Sequence, residues 1–364
     1  MRNLVRVISD KNALPILADI LWDVNEQEMM ARLTSSDGEI WLNTEVELDV
    51  CEGGGRFTVL GQTLSNMLAE ISDQPLTITA TAESDKVFTL SYADGKAYCP
   101  MHDADVYPTP KPVGSDTELV TLDASVLKRT IKRSLWATAN EELRPVLNGI
   151  KFDIVNGELN VASTNGHVMT KNQDPVSFGH NSPSGFIMPK KVAKILPDML
   201  NDGDCDMMFS ENVCTLEQAS TSLQFTLVEG KYPAYDSVIP KTFAHSVTVD
   251  RPLLLSAVRA MSPFAPEASN MVEMVFYPDG RLNIMSADID FGIGGNKYIL
   301  VEGYNGEEMH FGMKAESMIS MLSRLSEPTV RLKFNGPVYA VIIETVTDGD
   351  SHFTGLIMPM LLGD

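Results

Sequence analysis

The feature of this sequence that most limits its fold is a pattern that recurs three times along the 364 residues. In the clearest copy, an amphipathic segment begins at Asp123, and two alternating runs follow it, Leu147–Ile154 and Glu158–Ser163. The dipeptide Asn156-Gly157 lies between the two runs. Because Asn-Gly tolerates the positive φ angles of a type I′ turn, this stretch predicts an amphipathic helix followed by a β-hairpin.

Weaker copies of the pattern lie on both sides of this one. Upstream, Leu14–Leu17 leads into alternating runs that end at Gly38, and downstream, Met271–Phe276 leads into Arg281–Gly292. A short strand followed by a helical pattern also recurs, beginning at residues 57, 186 and 309. The spacing of about 120–130 residues is too long for a solenoid repeat, so the pattern predicts three tandem domains of one fold.

The repeats place three α+β domains at residues 1–112, 113–241 and 242–364. The proline-rich stretch Tyr107–Pro112 is typical of a stiff linker and closes the first domain. When Pro15 is aligned with Pro145, Met1 falls opposite Ile131, inside the first helix of the second copy. The alignment therefore predicts that the first domain is shortened at its N-terminus by one strand and half a helix.

The composition is typical of a folded protein without membrane spans. Hydrophobic residues make up 44% of the chain, and no apolar run approaches the ~18–20 residues that cross a bilayer. The N-terminal apolar run is too short for a signal peptide. Four cysteines show neither a CxxC pair nor metal-ligand spacing: Cys51, Cys99, Cys205 and Cys214. We expect reduced, mostly buried thiols in a cytoplasmic protein without metal or cofactor.

The net charge of −21 argues against a general affinity for nucleic acid. The few cations are concentrated, however, on two predicted helices of the second copy. On a helical wheel one side of the first helix is filled by Lys128, Arg129, Lys132 and Arg133, and the second helix carries Lys190, Lys191 and Lys194. This pattern predicts one restricted DNA-binding face on an otherwise repelling surface, although ordinary solvated helix faces have the same appearance.

Single residues add local predictions. Asp123 and Asp250 are typical helix N-caps. Pro197 removes a backbone donor and should end or kink the helix that begins at Lys190. The run Gly292–Gly295 follows a predicted strand without the helix that a dinucleotide-binding loop requires, so a hairpin is favoured there.

Catalytic motifs are absent from the sequence. There is no P-loop, no HExxH and no GxSxG. His167, in Asn165-Gly166-His167, has no nucleophile or acid at a known catalytic spacing, which favours a turn or pocket histidine over a general base. Two alternatives stay open at this point: a hydrolase that uses His167, and a β-rich adhesion or scaffold protein, which would normally carry a secretion signal.

Four segments resemble the bacterial sliding clamp family, the beta subunits of DNA polymerase III. They are SDKNALPIL at residues 9–17, LNGIKFDIVNGELNVASTNGH at 147–167, FTLVEGKYPAYDSVIPK at 225–241 and MPM at 358–360. The resemblance implies a non-catalytic processivity factor. Two three-domain chains would join head to tail in a closed ring, with helices lining the hole and antiparallel sheets outside. Such a ring would encircle double-stranded DNA without reading its sequence.

The resemblance also implies three groups of site residues. The DNA-facing group is Lys11, Lys190, Lys191 and Lys314, to which the helical wheel adds Lys128, Arg129, Lys132 and Arg133, and the cation cluster on the second helix adds Lys194. A pocket for short linear peptides of the polymerase catalytic subunit, the clamp loader and repair polymerases would comprise Leu147, Thr164, Gly166, His167, Met169, Pro233, Val238, Val338, Ala340, Met358, Pro359 and Met360. Candidate dimer contacts are Tyr98, Cys99, Met261 and Phe264. For Leu147 and Val338, plain core packing is the alternative.

The chain also departs from the family pattern. Gly61-Gln62 stands where the family often has a basic residue, Val168 where it often has arginine after the histidine, and Ser317 where a tyrosine often lines the pocket rim. The tail continues as Leu361-Leu362-Gly363-Asp364 in place of a closing Arg-Leu. These departures predict a peptide preference of its own.

Overall fold

The computed structural model describes residues 1–9, 14–81, 86–114, 116–176, 184–347 and 349–362. The chain forms two compact units. The first unit comprises Met1–Ser125 and Lys194–Leu227, and the second comprises Val126–Ala193 and Val228–Asp364. The predicted middle domain is thus divided between the units, because its sheets continue into those of the copies before and after it.

The helices are short, and two of them fall in each copy of the repeat. They are α1 (Arg2–Val7), α2 (Gly61–Glu70), α3 (Ala124–Ser134), α4 (Lys190–Met199), α5 (Arg251–Met261) and α6 (Ala315–Leu322). No helix in the described part of the chain has the length and apolar character needed to cross a membrane.

The strands repeat in the same order. The first copy contains β1 (Asp19–Asn25), β2 (Met30–Ser36), β3 (Ile40–Glu47), β4 (Gly55–Leu60), β5 (Thr77–Thr81), β6 (Val87–Tyr92) and β7 (Gly95–Asp103). The second contains β8 (Glu118–Asp123), β9 (Gly149–Val155), β10 (Glu158–Thr164), β11 (Val168–Pro175), β12 (Ser184–Pro189), β13 (Asp204–Phe209), β14 (Val213–Gln218) and β15 (Thr221–Thr226). The third contains β16 (His245–Asp250), β17 (Met271–Phe276), β18 (Arg281–Asp288), β19 (Ile293–Leu300), β20 (Met309–Lys314), β21 (Thr329–Phe334), β22 (Val341–Thr345) and β23 (His352–Ile357).

The element order confirms the threefold repeat. The second and third copies each run strand, helix, four strands, helix, three strands. In the described part of the first copy the order begins at the helix, and α1 has 6 residues where α3 and α5 have 11. Otherwise the three copies agree element by element.

The first unit is built on one antiparallel sheet of eleven strands, in the order β5-β6-β7-β4-β1-β2-β3-β15-β14-β13-β8. The joint between copies is the pair β3–β15, in which Ile40 lies opposite Phe225. Aromatic packing supports one face, where the ring of Trp22 stacks on Phe57 at 6.0 Å between centroids. The copies are therefore continuous in hydrogen bonding as well as in sequence.

The second unit has two antiparallel sheets. One has eight strands in the order β12-β9-β10-β11-β23-β22-β21-β16, and its joint between copies is β11–β23, with Val168 opposite Ile357. The other has four strands in the order β19-β18-β17-β20. The apolar faces of α5 and α6 pack on these sheets in one core cluster, which includes Leu254, Val258 and Met318. Here β19 is an edge strand.

Most of the local predictions agree with the structure. Asn156 and Gly157 have φ angles of 54° and 80°, as the predicted hairpin turn requires. The Asp250 carboxylate accepts a hydrogen bond from the Leu253 amide at 2.8 Å, which confirms the N-cap, and Asp123 accepts one from the Ser125 amide at 2.7 Å. The run that begins at Gly292 forms the β18–β19 hairpin.

Two predictions were wrong or only partly right. The helix α4 does not end at Pro197 but continues to Met199, because only one backbone donor is lost and the flanking Leu196 and Met199 are buried. All four cysteines are free, but only Cys205 and Cys214 are buried, while Cys51 and Cys99 are half-buried.

Candidate functional site

A tight loop between β10 and β11 forms the centre of the predicted peptide pocket. The Asn165 side-chain oxygen accepts hydrogen bonds from the amides of His167 and Val168, both at 3.0 Å. The Gly166 amide donates to the Thr164 hydroxyl at 3.1 Å, and Gly166 has φ +92°, which favours glycine. This bonding fixes the loop and leaves His167 exposed.

The loop is held from beneath by an apolar cluster. Leu147 is 2% exposed and packs with Ala139, Ile187 and Tyr232. The Tyr232 hydroxyl accepts a hydrogen bond from the Thr164 amide at 3.2 Å, and burial raises the pKa of Tyr232 to about 12, so the phenol stays neutral. Leu147 therefore follows the core-packing alternative: it supports the loop and shows almost no surface to a peptide.

A second cluster forms the floor beside the loop. Met169, Ile342 and Leu356 are buried, with half-buried Tyr235, Ile239, Phe243 and Ala340 packed against them. Met169 is only 2% exposed. It was predicted to line the pocket where a peptide could contact it, but it is a buried support of that pocket. Apolar surface remains at three other predicted positions: Val238 (56% exposed), Val338 (59%) and Met358 (40%).

The C-terminal tail completes the site. The Met358 amide donates to the His167 carbonyl at 2.9 Å, and the Met360 amide donates to the Gly312 carbonyl at 2.7 Å. A Cβ on Gly312 would lie 2.6 Å from the Met360 carbonyl oxygen, so this close approach depends on glycine. The structure thus joins the loop, the tail and β20, and it keeps Pro359 and Met360 half-buried and Pro233 exposed.

Several residues of this region escaped the sequence analysis. Tyr235 donates its hydroxyl to Asp153 at 2.8 Å, and the Lys171 ammonium lies 5.7 Å from its ring centre and 2.7 Å from Asp236. Tyr339 is large and 58% exposed, and Leu361 of the divergent tail is 82% exposed. The sequence signal for Tyr235 and Asp236 is their place within YPAYD, and that for Tyr339 is its place between Val338 and Ala340.

The cations of α3 differ in their environment. Lys132 is exposed and Lys128 is half-buried. Arg129 bonds to Asp174, whose side chain is 4% exposed. Arg133 has a side chain only 5% exposed, and it makes two hydrogen bonds to Glu327, at 2.7 and 2.9 Å. The prediction that Arg133 belongs to the DNA-facing group is therefore wrong, because Glu327 neutralises its charge inside the fold.

The other predicted DNA-facing residues lie on α4 and β20. The Lys190 ammonium donates to the Ala139 carbonyl at 3.1 Å and to the Asn140 side chain at 2.9 Å. Lys191 is half-buried and Lys194 is exposed. The Lys314 ammonium lies 3.4 Å from the Glu316 carboxylate, with both side chains largely in solvent. Lys11 lies outside the described residues.

The predicted dimer contacts fall into two groups. Tyr98 is 77% exposed on β7, next to half-buried Cys99. Met261, by contrast, is 8% exposed and belongs to the core cluster of the second unit, against which Phe264 packs. A Cβ on Gly295 of β19 would lie 3.4 Å from the Met261 sulfur, so both apolar residues stand directly behind that edge strand. Met261 is thus a support of the edge and not an exposed contact.

Two arrangements that catalysis would use were not found among the described residues. Within them, no group of three or more His, Cys, Asp or Glu side chains is placed to hold a metal ion. The described residues also contain no acid or hydroxyl that hydrogen-bonds the His167 ring, so the hydrolase alternative finds no support there.

Comparison with known proteins gives a consistent result. Family profiles of the DNA polymerase III beta subunit match in order: the N-terminal domain at residues 1–108, the central domain at 121–234 and the C-terminal domain at 236–361. The beta sliding clamp of Caulobacter vibrioides is 24% identical over 360 residues, covering 97% of this chain and 94% of that one. That of Synechocystis is 22% identical over 377 residues, covering 98% and 95%.

Solved structures share the fold. The sliding clamp of Bacillus subtilis superimposes with a TM-score of 0.91 at 19% identity, covering 100% of this chain and 96% of that one. The sliding clamp of Pseudomonas aeruginosa gives 0.89 at 21% identity, covering 99% and 96%.

Proposed function

Because the chain belongs to the family of DNA polymerase III beta subunits, we propose that it is a DNA sliding clamp. As a closed ring of two chains it encircles duplex DNA, and it tethers the replicative polymerase there for processive synthesis. The observation that carries this proposal is the pattern of paired and open strand edges in the three copies.

Each joint between copies has the same construction. In each copy four strands lie between the two helices, and the third of these four pairs with the last strand of the next copy. The two pairs are β3–β15 and β11–β23. The equivalent third strand of the last copy is β19, which ends its sheet. The equivalent last strand of the first copy is β7, and the Gly95–Pro100 part of β7 pairs within the described residues only with β6. These two open edges are complementary, so two chains joined head to tail at both ends close a ring.

The two existing joints predict the register of the new one. Ser36 lies opposite Trp41, Thr164 opposite Met169 and Asp288 opposite Ile293, so Ile293 is the counterpart of Trp41. In the last strand of each copy, the hairpin pair Tyr92–Gly95 matches the hairpin pair Gln218–Thr221. Tyr98 lies three residues after Gly95, and Gln224 lies three residues after Thr221, so Tyr98 is the counterpart of Gln224. Since Trp41 lies opposite Gln224, Ile293 of one chain lies opposite Tyr98 of the other. Their exposures of 44% and 77% leave both available for this cross-strand pair.

The charge distribution suits a mechanical hold on DNA. Lys132 and Lys194 are exposed, and the protein as a whole carries −21. Weak contacts from a few lysines to phosphates allow sliding, while the acidic surface discourages binding elsewhere. A ring needs no base readout, because topology keeps it on the duplex.

The exposed apolar surface suits a docking peptide. Val238, Val338 and Met358 present exposed apolar side chains, and the Met358 amide bonds to the His167 carbonyl. A flexible, methionine-bearing surface accepts related sequences, as a clamp shared by a polymerase catalytic subunit, a clamp loader and repair polymerases requires.

A cysteine cross-link tests ring closure and register together. In a Cys51→Ser, Cys99→Ser background, the pair Tyr98→Cys and Ile293→Cys should oxidise to a covalent dimer, because opposed residues of antiparallel strands lie ~4.5–5.5 Å apart at Cα. The matched control is Tyr98→Cys with Gly295→Cys, two residues along the same face of β19. Equal cross-linking of both pairs, or of neither, would reject the register.

Cross-linking after loading then tests encirclement, because a ring closed covalently at both joints cannot open onto circular DNA. The ring that is oxidised on the DNA should stay on nicked circular DNA in high salt and leave the same DNA once it is linearised, because only free ends release a closed ring. Loss from the circle at the same rate as from linear DNA would reject the clamp function.

A further inference from the structure

A cavity of about 280 Å³ lies in the first unit, beside the β2–β3 hairpin. Leu14 (48% exposed) and half-buried Pro108 form its accessible apolar rim, and buried Leu17, Trp41 and Phe225 support it from behind. Nothing in the proposed function uses this cavity. Its surroundings, however, repeat the construction of the peptide pocket around His167, feature by feature.

The first shared feature is a proline-led 3₁₀ turn that supports the site. Pro15–Ala18 lies at the cavity and Pro145–Asn148 at the peptide pocket, and each has its proline in the first turn. Each turn buries one leucine to the same extent, with Leu17 and Leu147 both 2% exposed.

The second shared feature is the hairpin loop. Asp37 accepts hydrogen bonds from the amides of Glu39 (2.9 Å) and Ile40 (2.8 Å), as Asn165 does from His167 and Val168. The Gly38 amide donates to the Ser36 hydroxyl at 2.9 Å, as Gly166 does to Thr164. The two glycines have nearly the same φ angle, +94° and +92°.

The third shared feature is a buried tyrosine followed by proline. The Tyr107 hydroxyl lies under its hairpin, where it donates to the carbonyls of Asp19 (3.4 Å) and Thr34 (3.5 Å). The Tyr232 hydroxyl lies under its own hairpin, where it accepts from the Thr164 amide (3.2 Å). Burial raises the pKa of both phenols, so each is a neutral support under its loop. Pro108 and Pro233 follow them and line the two sites.

The charged rim is where the sites differ. Glu39 is exposed at the loop tip, at the position that His167 has in the peptide pocket. On another part of the rim Lys111 is exposed. Its backbone carbonyl accepts a hydrogen bond from the Gln224 side-chain amide at 2.6 Å, which fixes its position. The cavity therefore has an apolar interior between an acidic and a basic rim.

We propose that this cavity is a second docking site for partner proteins. Its occupant is a short linear segment with one large aliphatic residue between a basic and an acidic one. The aliphatic side chain fills the cavity, whose volume is near the lower limit for ligand pockets. The basic residue faces Glu39 and the acidic residue faces Lys111. This inference rests on the proposed function, because it extends peptide docking from the pocket around His167 to its structural counterpart.

The test is a titration of the full chain with a fluorescein-labelled octapeptide that contains Arg-Leu-Glu, with the Arg-Ala-Glu peptide as control. Stoichiometry and affinity are measured by fluorescence anisotropy. Matched variants remove one exposed aliphatic side chain from each site: Leu14→Ala (48% exposed) at the cavity and Val338→Ala (59% exposed) at the peptide pocket. The variant Glu39→Lys reverses the distinctive charge without touching the core.

Two leucine-dependent sites per chain are expected. Leu14→Ala and Glu39→Lys should each weaken one site at least tenfold, and Val338→Ala should weaken the other. A single site that responds only to Val338→Ala would overturn the second site and leave the peptide pocket intact. A single site that responds only to Leu14→Ala and Glu39→Lys would support the cavity and count against the peptide pocket, so failures of the two proposals are distinguishable.

Discussion

Lys132 and Arg133 are neighbours on α3, but only one of the two charges is exposed to solvent. Lys132 is exposed, while Arg133 is buried, pairs with Glu327 and lies 5.6 Å from the ring centre of Phe353. Arg129 also pairs with an acid, the buried Asp174. Both arginines thus bind acids of the fold, whereas Lys132 faces solvent.

Side-chain chemistry explains the division. A guanidinium is planar, weakly hydrated and able to make two parallel bonds to one carboxylate, so it tolerates burial beside an acid. An ammonium is a strongly hydrated point charge that favours water. Of the four cations on this helix, Lys132 is therefore the exposed one that phosphates can reach. Reversing all four together would mix a loss of folding with a loss of DNA contact.

The largest expected effect separates Arg133 from its neighbour. Arg133→Met leaves the Glu327 carboxylate partly buried without its partner, and this should lower the free energy of unfolding by about 3 kcal/mol. Lys132→Met should change it by less than about 0.5 kcal/mol, as at most surface positions. Urea unfolding followed by circular dichroism measures both values.

A double variant checks the cause. Arg133→Met with Glu327→Leu removes both charges, and it should recover most of the loss because an apolar pair replaces a buried ion pair at little cost. The buried Arg133 Nε atom, which has no hydrogen-bond partner among the described residues, adds to that expectation. Equal stability of Arg133→Met and Lys132→Met would contradict the division.

The sequence predicted the helix but not this division. A helical wheel orders residues around one axis, and it placed all four cations on one side. The acids that take up the two arginines lie 45 and 194 residues away in sequence, on other elements of the second unit. No local pattern contains that information, whereas hairpins and caps, such as Asn156-Gly157 and Asp250, are set by neighbours in the chain.

The peptide pocket shows the same limit. The resemblance located the loop at Asn165–His167 and the tail at Met358, and the structure joins them through one backbone hydrogen bond. The sequence resemblance could not distinguish Leu147 and Met169, which are buried supports, from Val338, which is exposed. That distinction depends on how three separate segments pack, and all three carry aliphatic residues.

The next effect concerns DNA. Removing one phosphate-facing lysine reduces the dependence of log affinity on log salt by about one. We expect this change for Lys132→Met, measured as anisotropy of labelled duplex DNA at several salt concentrations. Lys241→Met removes an exposed lysine away from α3 and should leave the slope unchanged. The same slope for both variants would remove α3 from the DNA-facing surface.

The smallest expected effect is a pH dependence of the free energy of unfolding, which comes from the buried pair of Arg133 and Glu327. Burial disfavours the charged carboxylate of Glu327, but hydrogen bonds from its own backbone and from Arg133 outweigh burial and lower its pKa below the ordinary value of 4.5. A lowered pKa in the folded state gives stability that is complete above the unfolded value and is lost as the pH falls through the folded value. The free energy of unfolding should therefore decline below about pH 4.5 in the parent chain.

Glu327→Gln cannot titrate, so its unfolding free energy should start lower at neutral pH and decline less steeply below pH 4.5. Glu141→Gln is the matched control, since it breaks the exposed pair with Arg144 and should leave the acid slope of the parent. The difference between the two variants isolates the buried pair from surface pairs of the same kind. If Glu327→Gln and Glu141→Gln follow one curve, Arg133 is held by packing against Phe353 and not by the Glu327 carboxylate.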